Sequence, residues 1–215
     1  MLKEIIKAYE DGKIAFINKI SQINTQNVEE VLFLDDGYIR SKIKELKEQY
    51  NSLSSEIDLL IKYDKNDEYS KSKISYLREQ CKDIKLEIAF LASNNYKNLD
   101  NCINLVEDID TDFKLCIYAL RFYYDGNSQR AYQYFGEYFK DKDRFLEHYL
   151  INKVYGELLF SIKEYNASAN VLRKAVEKRP EDIEIHRILK EIYKLNGQLI
   201  EEKIEESILN LLEDK

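Results

Sequence analysis

The sequence predicts an all-α protein, an antiparallel coiled-coil hairpin of two long helices followed by a short array of paired helices. Three observations predict it. The 215 residues include one proline and six glycines, too few of the residues that punctuate strand-rich folds. Apolar residues recur every three or four positions over two adjacent stretches of the first half. In the second half, a pattern of large, small and aromatic residues returns after 37 and then 34 positions. The organisation expected is an N-terminal helical segment over 1–37, the hairpin over 38–95, and helical repeats with a C-terminal capping helix over 96–215.

The first segment is the least regular. Leu2, Ile5, Ile6 and Tyr9 follow helical spacing and Gly12 interrupts it; Ile14, Phe16, Ile17 and Ile20 suggest a second helix. Asn27 with Glu30 forms a capping pattern for a short helix through Val28, Val31 and Leu32. The run from Val31 to Leu34 also suits a short strand, but helix is preferred because a lone strand pair would have no sheet to join.

The hairpin follows from spacing. Ile39, Ile43, Leu46, Tyr50, Leu53, Ile57 and Leu60 form one heptad seam; Ile74, Leu77, Cys81, Ile84, Ile88 and Leu91 form another. Leu60 with Ile74, Ile57 with Leu77, Leu53 with Cys81, Tyr50 with Ile84, Leu46 with Ile88 and Ile43 with Leu91 are all centred on residue 67. That residue lies in the polar stretch from Asp64 to Glu68, so the seams are in register for one antiparallel pair. Leu59, Ile61, Tyr76, Leu86 and Phe90 lie off the seam toward the ends of the arms, so a third element should cover at least the base.

The repeat array is clearest from Tyr149 to Pro180. Tyr155-Gly156 is followed by Leu159, Tyr165, Ser168, Leu172, Ala175 and Pro180. Small residues at 156 and 168 permit close approach of two antiparallel helices, Tyr165 covers their turn, and Pro180 ends the second helix. Ile183 opens another unit with Leu189, Tyr193, Gly197 and Leu199 at matching offsets. A unit from Asp112 supplies Tyr118-Ala119, Phe122, Gly126, Ala131 and Phe135, with about three residues inserted near 141–147. A degenerate unit from Gln80, with Leu86, Phe90, Tyr96, Ile103 and Val106, would use the second hairpin arm as its first helix. Leu199, Ile204, Ile208 and Leu211 keep one apolar face, while Glu201, Glu202, Glu205 and Glu206 crowd the other; this pattern suits a terminal helix with a solvated outer side.

These residues resemble the tetratricopeptide repeat family, over about 112–212 and more weakly from residue 80. The resemblance implies a short α-solenoid whose first helices line a concave peptide-binding groove. Carried over residue by residue, that groove would show Phe113, Cys116, Leu120 and Tyr123 from one unit and Leu150, Lys153, Glu157 and Phe160 from the next. The last unit would add Glu184, Arg187, Glu191 and Lys194. Lys153 has the offset of a carboxylate clamp, but Glu157 stands where that clamp uses Asn.

Little in the chain points to chemistry. The glycines lack phosphate-loop and dinucleotide spacing. His148 and His186 belong to no H-E-x-x-H or E-x-x-H motif, and both are expected on the surface. Cys81, Cys102 and Cys116 are odd in number and include no C-x-x-C pair, as expected of reduced thiols. The net charge of −7 divides as −3, +1 and −5 over 1–37, 38–95 and 96–215, with no basic tract suited to nucleic acid. Acidic residues interrupt the N-terminus where a signal peptide would be apolar, no membrane span is visible, and the expected location is the cytoplasm. No cofactor or metal is expected. The resulting expectation is a non-enzymatic adaptor or scaffold that holds a peptide or helix of a protein partner, with the hairpin as a second contact surface or homodimerisation arm. A tetratricopeptide secretion chaperone and a peptide-sensing regulator are the alternatives. Seventeen tyrosines, crowded at 118, 123, 124, 132, 134, 138 and 149, serve either repeat packing or a groove wall.

Overall fold

The structure, a computed structural model, describes residues 36–63, 68–140 and 147–213. The expectations for residues 1–35, the polar reversal at 64–67 and the insertion at 141–146 lie outside them. The described residues form nine α-helices and no strand, an all-α fold of tetratricopeptide-like helical repeats preceded by a hairpin. They divide into two compact units, 36–154 and 155–213.

Helices α1 (Asp36–Tyr63) and α2 (Glu68–Ala92) form the hairpin. Ile57, Ile74, Leu77 and Cys81 are buried in one cluster, flanked by Tyr50, Leu53 and Leu60. Polar contacts between the arms have the antiparallel sense. Lys73 Nζ lies 2.6 Å from Glu56 Oε1, and the Lys85 ammonium sits 5.6 Å from the centre of the Tyr50 ring. The tip has no further cover among the described residues: Leu59, Ile61, Tyr63, Tyr69 and Tyr76 are all exposed. The base is different. A 3-10 turn (Tyr96–Asn98) leads into α3 (Leu99–Val106), which packs on α2. Phe90 meets Phe113, the first residue of α4 (Phe113–Tyr124), at 5.6 Å between ring centroids. One helix therefore serves as a hairpin arm toward its N-terminus and as a repeat helix toward its C-terminus.

The remaining helices are α5 (Ser128–Tyr138), α6 (Tyr149–Ser161), α7 (Tyr165–Lys178), α8 (Ile183–Leu195) and α9 (Leu199–Glu213). The turns α4–α5, α6–α7 and α8–α9 share one geometry. After α4, Gly126 N–H donates to Tyr123 O at 2.9 Å and Asn127 N–H to Phe122 O at 2.8 Å. After α6, Lys163 donates to Phe160 O (3.0 Å) and Glu164 to Leu159 O (2.9 Å). After α8, Gly197 donates to Lys194 O (3.1 Å) and Gln198 to Tyr193 O (2.8 Å). Each is a Schellman turn, in which one left-handed residue lets the next N–H reach back to carbonyls that the helix end leaves open. The left-handed residues are Gly126, Lys163 and Gly197, with φ of 81°, 67° and 69°. Their spacing reproduces the 37- and 34-residue offsets of the sequence pattern.

Within residues 155–213, Gly156 lets α6 and α7 approach closely. A Cβ built there would lie 2.5 Å from Cγ and Cδ2 of the fully buried Leu172. Ser168 Oγ donates to Gly156 O at 2.7 Å, joining α7 to the backbone of α6.

Two stability outcomes follow. Lys163→Gly should stabilise the protein by about 1 kcal/mol, since a left-handed residue with a Cβ costs roughly 1–2 kcal/mol and the added backbone freedom of glycine in the unfolded chain returns part of that gain. Gly156→Ala should destabilise it by about 1 kcal/mol or more, because overpacking costs of about 1–3 kcal/mol exceed a helix-propensity gain of about 1 kcal/mol. Urea unfolding of both variants beside the wild type measures both signs.

Candidate functional site

The residues assigned to a groove by repeat register differ sharply in accessibility. In α4, Cys116 and Leu120 have no exposed surface, and Leu150 of α6 is also buried. These three are core side chains and do not line a groove. The cause lies in the composition of α4. Cys116, Ile117, Ala119 and Leu120 are all buried, because α4 packs on both α3 and α5 and its sequence is apolar nearly all round. Phe113, Tyr123 and Lys153 keep partial exposure in the unit 36–154; Glu157 and Phe160 do so in the unit 155–213, where Glu184, Arg187, Glu191 and Lys194 are exposed. Arg187 is held between Glu184 (2.6 Å) and Glu213 (2.9 Å). Phe160 contacts the turn residue Tyr165, with ring centroids 5.8 Å apart.

The tyrosines of the first clear repeat largely satisfy one another. Tyr134 stacks on Phe122 at 5.3 Å, and the Arg130 guanidinium lies 5.4 Å from the centre of the same Phe122 ring. Tyr124 stacks on Tyr96 at 4.8 Å. Tyr138 and Tyr149 are core, whereas Tyr96, Tyr124 and Tyr132 remain exposed. The aromatic bias therefore supplies both packing and a rim of amphipathic surface.

Both histidines depart from the surface positions that the sequence suggests. His148 is fully buried and caps α6: its Nδ1 accepts the Ile151 N–H at 3.2 Å. The ring proton is then on Nε2, which lies 3.0 Å from Phe90 O and 2.9 Å from Ser93 Oγ. The Ser93 hydroxyl itself donates to Phe90 O. Burial pushes the His148 pKa down to about 3, against the opposing pull of the Phe90 carbonyl.

His186, on α8, has the opposite chemistry. Nδ1 lies 2.7 Å from Glu205 Oε2, and Nε2 lies 2.8 Å from Pro180 O. Both neighbours are acceptors, so only the doubly protonated ring satisfies both. Burial works against that charge, but hydrogen bonding to Glu205, its carboxylate charge and the Pro180 carbonyl outweigh burial and raise the pKa. Glu205 is accordingly buried, and does not share the solvated acidic face to which its spacing assigns it. Lys190–Glu206 and Arg187–Glu213, each at 2.9 Å, add exposed ion pairs between α8 and α9.

Burial also raises the Cys102 thiol to about 12, which leaves it protonated and inert. Among the described residues, no group of three or more His, Cys, Asp or Glu side chains could hold a metal ion. No described helix is long and apolar enough to cross a membrane.

No family model matches the chain, and no curated protein matches it. Among solved structures, the chain is similar to two of MamA, one of a point mutant and one described as "MamA MSR-1 C2", each at 15% identity. The match to the mutant covers 81% of this chain and 95% of that one with a TM-score of 0.41; the other covers 82% and 95% with a TM-score of 0.40. The repeat assignment rests on this chain's own recurring turns.

The two histidines give stability opposite pH dependences. His148 has a depressed pKa, so its contribution is complete above the unfolded value near 6.5 and is lost as pH falls toward 3. His186 has a raised pKa, so its contribution is complete below about 6.5 and is lost as pH rises through the folded value. Denaturant unfolding across pH should show both losses. His148→Asn, which retains a capping side chain, should flatten the acid limb, at no more than about 1.4 kcal/mol per pH unit. Glu205→Ala should flatten the alkaline limb and lower stability near neutrality by about 3 kcal/mol, as expected when one member of a buried pair is removed.

Proposed function

We propose that the protein is a non-enzymatic adaptor that binds a peptide or helix of another protein on its helical repeats, with the hairpin 38–95 as a second contact surface. The observation that carries this reading is the succession of three helix-turn-helix units with one turn geometry. Such units present a regular row of first-helix side chains for recognition. The assigned residues that keep exposed surface are Phe113, Tyr123 and Lys153 in one unit and Glu157, Phe160, Glu184, Arg187, Glu191 and Lys194 in the other. Aromatic residues such as Phe113, Tyr123 and Phe160 are of the type enriched at such surfaces.

Phe160 is the anchor to test. A partner is first identified by affinity purification from the native source and then titrated, purified, against variants. Phe160→Ala should weaken binding roughly tenfold, a loss of about 1.4 kcal/mol, with the helical content unchanged. Unaltered affinity for Phe160→Ala and Lys194→Ala together would refute the repeat-face assignment.

A further inference from the structure

We propose that one edge of the hairpin binds an acidic amphipathic helix of a partner protein, which completes a three-stranded coiled coil. This deepens the reading of the hairpin as a second contact surface and rests on it.

The two edges of the hairpin differ in charge. Along the first stand Lys42 and Glu56 of α1 and Lys73 and Glu87 of α2, each directly before a seam residue. Their charges match across the pair. Glu56 meets Lys73 at 2.6 Å, and Glu45 and Glu87 together raise the Lys42 pKa. The second edge is formed by the residues directly after Ile39, Leu46, Leu60, Leu77 and Ile84, with Lys71 one heptad before Arg78. Ile61 of α1 and Lys71 of α2 line one cleft there, which brings both arms to this edge. Its charged members are Arg40, Lys47, Lys71, Arg78 and Lys85, and all five are cations.

Nothing in the hairpin neutralises this row. The register that sets Glu56 opposite Lys73 sets Lys47 opposite Lys85, so like charges face each other. The Lys85 ammonium rests on the Tyr50 ring, and Lys47, Lys71 and Arg78 have no ion pair among the described residues. Glu79 lines the same cleft but is paired with Lys82 at 2.6 Å; Asp58 and Glu68 stand farther from the seam. The surplus occurs in a chain of net charge −7, so it belongs to this edge and not to the composition.

The spacing selects a helix as the occupant. Arg40 and Lys47 on one arm, and Lys71, Arg78 and Lys85 on the other, repeat every seven residues, about 10 Å. Two cationic rows therefore flank the seam. A third coiled-coil helix presents its own flanking residues in two rows of the same period, and glutamates there would meet both. Apolar footing is also present. Two helices leave the seam unsealed: Tyr50, Leu60 and Ile84 are half-buried, and Ile61 is 52% exposed beside Ile74. Flanking charges of this kind select a partner and its orientation.

Binding of the full chain to labelled synthetic peptides, read by fluorescence anisotropy, tests this. One peptide carries Leu at both seam positions of every heptad and Glu at the flanking positions; a second has Lys for those Glu; a third scrambles the first. The Glu peptide should bind, and its affinity should fall by about tenfold or more at about 1 M salt, where the Debye length is about 3 Å. The Lys and scrambled peptides should bind weaker than the Glu peptide by about tenfold or more. Lys47→Glu/Arg78→Glu should lose about tenfold or more in affinity for the Glu peptide, with unchanged circular dichroism. Lys97→Glu/Lys203→Glu, the same change in net charge at exposed positions elsewhere, should bind as the wild type does. No binding of the Glu peptide, equal binding of the scrambled one, or equal losses in the two variants would each overturn the proposal. So would a chain that ignores the Glu peptide yet sediments with anionic phospholipid vesicles. These variants leave Phe160 and the repeat face intact, so a failure at the hairpin edge is distinct from a failure of the repeat-face assignment.

Discussion

Each repeat depends on one backbone constraint: the first helix must stop and reverse within about three residues, and every time it does so through a left-handed residue. At Gly126 and Gly197 the missing Cβ makes that conformation cheap. At Lys163 the same conformation is held by a side chain that disfavours it, because the hydrogen bonds to Phe160 and Leu159 and the close α6–α7 approach leave no other route. Reversal geometry comes first, and the interhelix contact at Gly156 is available only because the turn delivers α7 beside it.

The parts of the fold that were legible in the sequence are those specified by local period. The hairpin register could be read because both seams repeat every seven residues and are centred on one polar stretch; Ile57, Ile74, Leu77 and Cys81 then lie in one cluster. The repeat register could be read because turns and small residues recur at fixed offsets. The histidines could not be read that way. Whether His148 is solvated or buried is decided by Phe90 and Ser93, more than fifty residues away, and the environment of His186 is set by Glu205 on the following helix. A polar residue beside an insertion or on an acidic helix carries no local mark of such a partner.

The groove residues illustrate a second limit. Family register assigned Cys116 and Leu120 to an open face on the assumption that a first helix has one free side. Helix α4 is apolar on nearly every side, and packing covers what hydrophobicity invites it to cover. The signal was present in the run from Phe113 to Tyr124, where Lys114 and Arg121 are the only charged residues. Composition of the individual helix was a better guide there than the repeat pattern.

Helix α2 has a geometric consequence of its own. The same continuous 25-residue rod, about 38 Å long, presents the tip at one end and docks into the repeats at the other. Its azimuth is thus fixed at the base: inserting a single residue midway would swing the tip faces by about 100°, away from whatever they meet. Seven residues added to both arms would instead lengthen the rod by roughly 10 Å and leave its tip facing nearly the same way. The hairpin behaves as a phase-locked spacer, whose reach can change in heptad steps while its aim is preserved.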